Sequence, residues 1–482
     1  MNFKSIFSVL GLLVCFTGLA MLLGIPFSLY YGDTDIIPII LSSIISVISG
    51  LILWRIFRTD EKELGIKEGF LIAFLGWLAI SLFGTLPYLL SDTIVNFTDA
   101  FFETVSGFTT TGASILTDVE KVPHGILFWR STTHWIGGMG IIVLSLAIFP
   151  FLGIAGMQLF KAESSGPTKD KLTPRITETA RLLWGVYILL TFSETLLLLL
   201  GGMSLFDALC HSFGTIATGG FSTKNSSIAF YNSTYIDFVV GIFMFLSAIN
   251  FSLHYAALKG DVLNYFRNSE FKFYLLYVSI AITYVTVINF FTQNGYTLFD
   301  AFRVSFFNVI SASSCTGFAN SDFALWAPAA QFIIVLVMFI GGCAGSTTGA
   351  IKSVRVMILL RNTFKEAARI LHPQAVVPIK FNKRIVDQDI ISMISSFFML
   401  YITTFFISSL LLIIDGVDLI SAMSGVVACM GGVGPGLNTV GPMANYAHLP
   451  IFSKYVLCAD MLLGRLELFT IMVIFTKSFW KV

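Results

Sequence analysis

Apolar runs of about membrane-crossing length alternate with short polar links along most of this chain. They lie near 6–30, 36–57, 68–91, 125–153, 181–202, 236–258, 273–292, 330–351, 389–414 and 455–478. A bilayer core about 30 Å thick is crossed by about 20 apolar helical residues, so the pattern predicts ten spans. Four further apolar stretches, near 98–110, 206–217, 299–314 and 419–431, are too short to cross and run into Gly-rich sequence. They are predicted to be short helices that enter the membrane and turn back.

After the first two spans the order is span, short segment, Gly-rich stretch, span, four times over. Asp99-Ala100, Asp207-Ala208 and Ser421-Ala422 precede Gly112, Gly220 and Gly434 by the same 13 and 12 positions. Asp300-Ala301 precedes Gly317 by 17 and 16, about one extra helical turn. The polar starters Asp99, Asp207, Asp300 and Ser421 are expected N-caps. Each short helix then starts near the outer surface and aims its carbonyl end, the negative end of the helix dipole, at mid-membrane. The domain reading follows: two N-terminal spans in 1–60, then repeats in 61–160, 161–262, 263–385 and 386–482.

Composition agrees. Of 482 residues 56% are apolar and 12% charged, about half the charge of a soluble domain, so lipid is the expected surroundings. The net charge of +1 gives no case for a nucleic-acid partner. If the N-terminus is cytoplasmic, the inner segments collect most of the 29 Lys and Arg, including Arg55, Arg58, Lys62, Lys161, Lys169, Lys171, Arg175, Lys352 to Arg384 and Lys481. That is the positive-inside pattern, with both termini inside. The apolar run after Lys4 is too long for a cleaved signal and reads as a retained first span. The six cysteines form no C-x-x-C pair and read as small buried residues.

The tips that follow the short segments are Thr109–Ala113, Ala217–Phe221, Ser314–Phe318 and Met430–Pro435. Four re-entrant tips reaching mid-depth from one side invite a ring, with irregular backbone lining a wet path. The oxygens expected along it belong to Thr110, Thr111 and Gly112; Thr218, Gly219 and Gly220; Cys315, Thr316 and Gly317; and Gly432, Val433 and Gly434. Glycine lets backbone approach an ion closely, and carbonyls and hydroxyls replace its hydration shell. No Asp or Glu stands in any tip, which disfavours a divalent site. The competing reading is that these glycines serve helix packing.

Gly341, Gly342, Gly345 and Gly349, with Ser346, Thr347 and Thr348, should unwind the eighth span, since each helical glycine costs about 0.8–1 kcal/mol. The spacing of Gly345, Gly349, Lys352 and Ser353 does not fit a phosphate loop. Arg465 and Glu467 fall inside the last span and need water or a partner; an ion pair of Arg465 with Glu194 or Glu467 is the plainer expectation. His134, His211 and His254 read as hydrogen-bonded packing residues. No catalytic constellation stands out, so an enzyme is not expected.

The fourfold pattern, the stretch Trp135-Ile136-Gly137-Gly138-Met139-Gly140-Ile141, the loop from Lys161-Ala162-Glu163 through Lys169 to Arg175, and Gly341–Gly349 together resemble the TrkH/TrkG membrane subunits of bacterial potassium uptake, within the Trk/Ktr/HKT superfamily. The resemblance covers essentially the whole chain. The two extra N-terminal spans suit the Trk branch. It implies one filter glycine per repeat, at Gly112, Gly220, Gly317 and Gly434. Gly112 is glycine where sodium-preferring plant relatives carry serine, so the potassium ion is the implied substrate, with no organic cofactor on this chain. Val433 departs from the Thr or Gly that precedes the other filter glycines.

The resemblance further implies a gate at Gly341–Gly349 and Arg465 below the filter, repelling cations when closed. It also implies a homodimer in the lipid of the bacterial inner membrane and a TrkA-like cytosolic nucleotide-binding regulatory subunit at the basic inner loops. Uptake would be driven by the membrane potential. A proton- or sodium-coupled symporter is the alternative.

Overall fold

The computed structural model describes residues 1–59, 65–148, 176–293, 295–373, 377–382 and 384–480. The basic loop 161–175, with Lys62, Lys383 and Lys481, lies outside the described residues. The architecture is all-helical, with two-residue strand pairs as the only sheet among the described residues. Six described helices are long and apolar enough to cross a bilayer, or seven if one bent pair counts as a span.

Helix Phe3–Met21 packs along Ile36–Ile56 through small residues. A Cβ on Gly11 would stand 2.6 Å from the Gly50 carbonyl oxygen, so the two backbones touch. The hairpin is fastened to helix His124–Ile148 by carboxylates: Asp33 Oδ2 accepts from the His124 N–H at 2.7 Å, and Asp35 Oδ2 from the Ile126 N–H at 3.0 Å. Both satisfy first-turn amides that have no partner within the helix.

The four short helices are Phe97–Phe108, Leu205–Ile216, Leu298–Ser313 and Leu419–Gly431. The third, at 16 residues, is one turn longer than the 12-residue first and second, as the wider spacing predicts. Their caps correct the sequence reading. The N-caps are Asn96, Ser204, Thr297 and Asp418, three residues before Asp99, Asp207, Asp300 and Ser421. Those four sit in the first turn, where an acid favours the positive helix end. At Thr297 and Asp300 the side chains cap each other's backbone, a full capping box.

Among the described residues, three of the ten expected spans are broken in two. Pro328–Phe339 ends where the Gly-rich segment begins, and an amphipathic helix, Ser353–Leu371, follows it. The expected continuous span 236–258 is instead Thr234–Ser247 and Phe251–Leu258, bent by 103°. The last span divides into Ile451–Arg465 and Leu468–Ile474, with Glu467 at φ +57° between them. Neither of these two breaks contains a glycine or proline. Contacts with the Gly-rich segment impose the first, and the ion pair of Glu467 accompanies the second.

Candidate ion pathway

Each short helix ends in the same way. Thr110, Thr218, Cys315 and Gly432 take positive φ, from +55° to +69°. The next residues, Thr111, Gly219, Thr316 and Val433, donate their N–H groups five residues back, to Ser106, Gly214, Ser311 and Ala428, at 2.7–2.9 Å. This is the Schellman closure, normally built on glycine. Only the fourth tip uses glycine there. The Thr, Thr and Cys equivalents hold a conformation that costs about 1–3 kcal/mol each.

One residue further, Gly112, Gly220, Gly317 and Gly434 return to positive φ, from +81° to +93°. A Cβ on Gly112 would strike the Gly219 carbonyl oxygen, one on Gly220 that of Thr316, one on Gly317 that of Val433, and one on Gly434 that of Thr111. The four tips therefore close a ring in chain order, and each joint uses equivalent residues. Val433, the departure in the sequence, keeps the same backbone place as its counterparts. Among the described residues, with Gly219 beside His134 and Gly434 beside Tyr446 aside, the tip carbonyls from 110 to 112, 218 to 220, 315 to 317 and 432 to 433 accept no hydrogen bond from the protein. The Thr111 and Thr316 hydroxyls are hydrogen-bonded within their own tips, to Thr109 at 2.8 Å and Ser314 at 2.7 Å. The backbone, rather than these hydroxyls, is the open oxygen surface.

The Gly-rich segment lies against the side of this ring on which the short helices end. Ile340–Gly341 and Ile351–Lys352 pair as parallel strands, pinching its ends together. Gly349 packs on the Gly431 carbonyl at the end of the fourth short helix. The Thr347 hydroxyl reaches the Ile216 carbonyl at 3.1 Å, at the end of the second. Gly342 packs on Ala248, while the Cys343 N–H donates to the Ala248 carbonyl at 2.8 Å and the Gly345 carbonyl accepts from the Phe251 N–H at 3.0 Å. The loop thus takes up backbone groups that the 103° break releases inside the membrane, where an unpaired group is costly. Ser346 and Thr348 join their hydroxyls at 2.8 Å, and the Lys352 ammonium folds back onto the Thr348 carbonyl.

Arg465 crosses beneath. Its Nη1 donates to the Thr347 carbonyl and its Nη2 to the Gly137 carbonyl, both at 2.9 Å. Gly137 in turn packs on the Phe108 carbonyl, and Gly464 on that of Met430. The guanidinium therefore ties the loop to the inner ends of the first and fourth short helices. The alternative pairing of Arg465 with Glu194 or Glu467 is not made: Glu467 pairs with Arg355 at 2.5 Å instead.

The TrkH family profile, described as a cation transport protein, matches residues 37–481. This chain belongs to the TrkH family. Among curated relatives, the Trk system potassium uptake protein TrkH of Escherichia coli K12 is 40% identical over 485 residues, covering all of both chains. That of Halomonas elongata is 39% identical, again over both full lengths. The E. coli TrkG protein is 34% identical, covering 98% of this chain and 97% of its own. The crystal structure of the potassium transporter TrkH from Vibrio parahaemolyticus matches at TM-score 0.91 and 35% identity over both whole chains.

In this TrkH-family chain, residues that sequence reasoning did not single out position the tips. Glu103 accepts from Arg130 Nε at 2.6 Å, from Ser114 Oγ at 3.0 Å and from the Ile115 N–H at 2.8 Å. Arg130 also donates to the Ser222 carbonyl and lies 3.5 Å over the Phe221 ring, locking the first tip to the second. His134, read as packing, does the same: its Nδ1 donates to the Gly107 carbonyl at 2.7 Å and its Nε2 accepts from the Phe221 N–H at 3.1 Å. His211 and His254 are likewise hydrogen-bonded on both ring nitrogens. Glu270 holds the loop, its Oε1 accepting from the Ala344 and Val354 N–H groups at 2.7 and 3.1 Å. A carboxylate in a polar segment start gives the sequence-level signal for Glu270; for Glu103 and Arg130 the signal is a charge inside an apolar run, which needs a partner but does not name it.

Proposed function

We propose that this chain takes potassium ions across the bacterial inner membrane through the ring of tips, driven inward by the membrane potential. The observation that carries the reading is the closed ring of carbonyls with so few protein donors. A buried carbonyl left without a partner costs about 1–3 kcal/mol, so a ring of them persists where an ion of suitable size replaces the donors. The names of its full-length relatives point to the same ion. Four repeats, divided at 61–160, 161–262, 263–385 and 386–482, would each supply one tip, with 1–60 as an appended hairpin.

In this reading Gly341–Gly349 is the gate and Arg465 its charged bar, a fixed positive charge that a cation must pass. Membrane potential supplies about 2.3 kcal/mol per charge per 100 mV. Both termini would face the cytoplasm, the functional unit would be a homodimer, and a TrkA-like regulatory subunit would dock on the basic helix Ser353–Leu371. No catalytic role is assigned.

The test is ion flux through purified protein in liposomes. Potassium entry exceeding sodium entry, reversing at the potassium equilibrium potential at every pH, supports the pathway. Reversal that moves with the proton or sodium gradient favours a symporter, and no flux of either ion sinks the reading.

A further inference from the structure

The ring is fourfold in its joints but not in its outermost oxygens. Among the described residues, the carbonyls of Gly112, Gly220 and Gly317 accept no hydrogen bond, whereas the Gly434 carbonyl accepts one from the Tyr446 hydroxyl at 2.6 Å. Burial follows the same division: Gly112, Gly220 and Gly317 are partly exposed and Gly434 is buried. Tyr446 itself is 2% exposed. Its hydroxyl lies 3.9 Å from where a Cβ on Gly425 would stand, on the fourth short helix, so it approaches Gly434 from behind the tip. Its N–H donates to the Ser114 carbonyl at 2.8 Å, just beyond the first tip. Tyr446 therefore sits at the joint where the ring closes, between the fourth tip and the first.

We infer that Tyr446 is a specificity-determining positioning residue, which holds the Gly434 carbonyl away from the ion path and leaves an outer layer of three carbonyl oxygens. The inference rests on the proposed potassium pathway and deepens it. The hydroxyl hydrogen occupies a lone pair of the Gly434 oxygen and places positive charge beside it, so it competes with a cation there, and a bond of 2.6 Å also fixes where that carbonyl points. A layer of three fixed oxygens has a set diameter. Released, the Gly434 carbonyl can turn on its glycine backbone and enter the layer as a mobile fourth ligand. A ligand free to move adapts to a smaller ion as readily as to a larger one, so sodium gains more than potassium.

The experiment is Tyr446→Phe in liposomes, with potassium and sodium influx measured separately. The expected result is a potassium-to-sodium ratio lowered by roughly two- to tenfold, the range one neutral hydrogen bond commands, with potassium influx retained. A merely structural role would lower both fluxes together and leave the ratio unchanged, which overturns the inference. If Tyr446→Phe gives no monodisperse protein, Gly425→Val replaces it. A Cβ there is 3.7 Å from Tyr446 Cε1, so the added methyls displace the ring from Gly434; the same fall in ratio is expected, and an unchanged ratio again overturns the inference. Wild-type protein that carries neither ion defeats the pathway itself, a result separate from either variant's.

Discussion

Arg355 and Glu467 form a 2.5 Å ion pair that links the first turn of helix Ser353–Leu371 to the break in the last span. Arg355 is 5% exposed and lies 3.9 Å over the Phe397 ring, while Glu467 is 22% exposed. Glu467→Gln takes the charge from one side of this pair and should destabilise the protein by about 1.5–3 kcal/mol, the range of a hydrogen bond to a charged group. Thermal unfolding in detergent reads this, and Arg355→Glu with Glu467→Arg should recover part of the loss.

Arg465→Ala removes a fixed charge and two donors at once. Cation influx should rise, because the Thr347 carbonyl loses the tether that holds the loop beneath the ring. Influx equal to that of the unaltered protein would count against the role assigned to Arg465.

Gly112 and Gly185 make opposite predictions for one change. Gly112→Ala places a Cβ on the Gly219 carbonyl at φ +81°, so the ring must open and potassium influx should fall to background. Gly185 is helical, exposed, and has nothing within 4 Å of its Cβ position. Gly185→Ala should raise stability by roughly 0.5–1 kcal/mol and leave influx unchanged. Paired melting and influx measurements test both.

Thr297→Ala breaks the capping box of the third short helix. A loss of about 1 kcal/mol is expected, seen as a lower melting temperature. Asp300→Asn should cost less, since the amide oxygen can still accept from the Thr297 N–H.

Much of the fold was legible because lipid enforces a simple rule, that a span must be long and apolar. The spacing of Gly112, Gly220, Gly317 and Gly434 suggested four equivalent tips and a ring, while the order of tips around it came from the close approaches of these glycines to neighbouring carbonyls. The caps were misplaced by three residues because Asp207 and Asp300 are acidic first-turn residues in the same motif as Ser204 and Thr297, and spacing alone does not separate the two positions. The breaks at Ala248 and Leu466 were hidden for another reason. Most of the flanking residues are good span formers, and the partners at the interruptions, the Cys343 N–H and Arg355, are over 90 residues away in the first case and over 100 in the second. Each break left one local sign: Asn250, whose side chain caps the new helix through the Ser252 N–H at 2.8 Å, and the charge of Glu467. Tyr446 carries no pattern at all, being placed by tertiary contact alone, and Glu103 shows only as a charge in an apolar stretch whose partner the sequence does not name.

Three joints of the ring join tips that follow one another along the chain, and the last joins the fourth tip back to the first. That closing joint rests on pairs distant in sequence: Gly434 with Thr111, Tyr446 with Ser114, and Lys454 with Asp99 at 2.6 Å. During synthesis the earlier tips enter the bilayer before the C-terminal segment that makes these contacts exists. A half-made chain therefore has an arc where the finished one has a ring, so on the proposed pathway no conducting ring forms until the ribosome has all but finished.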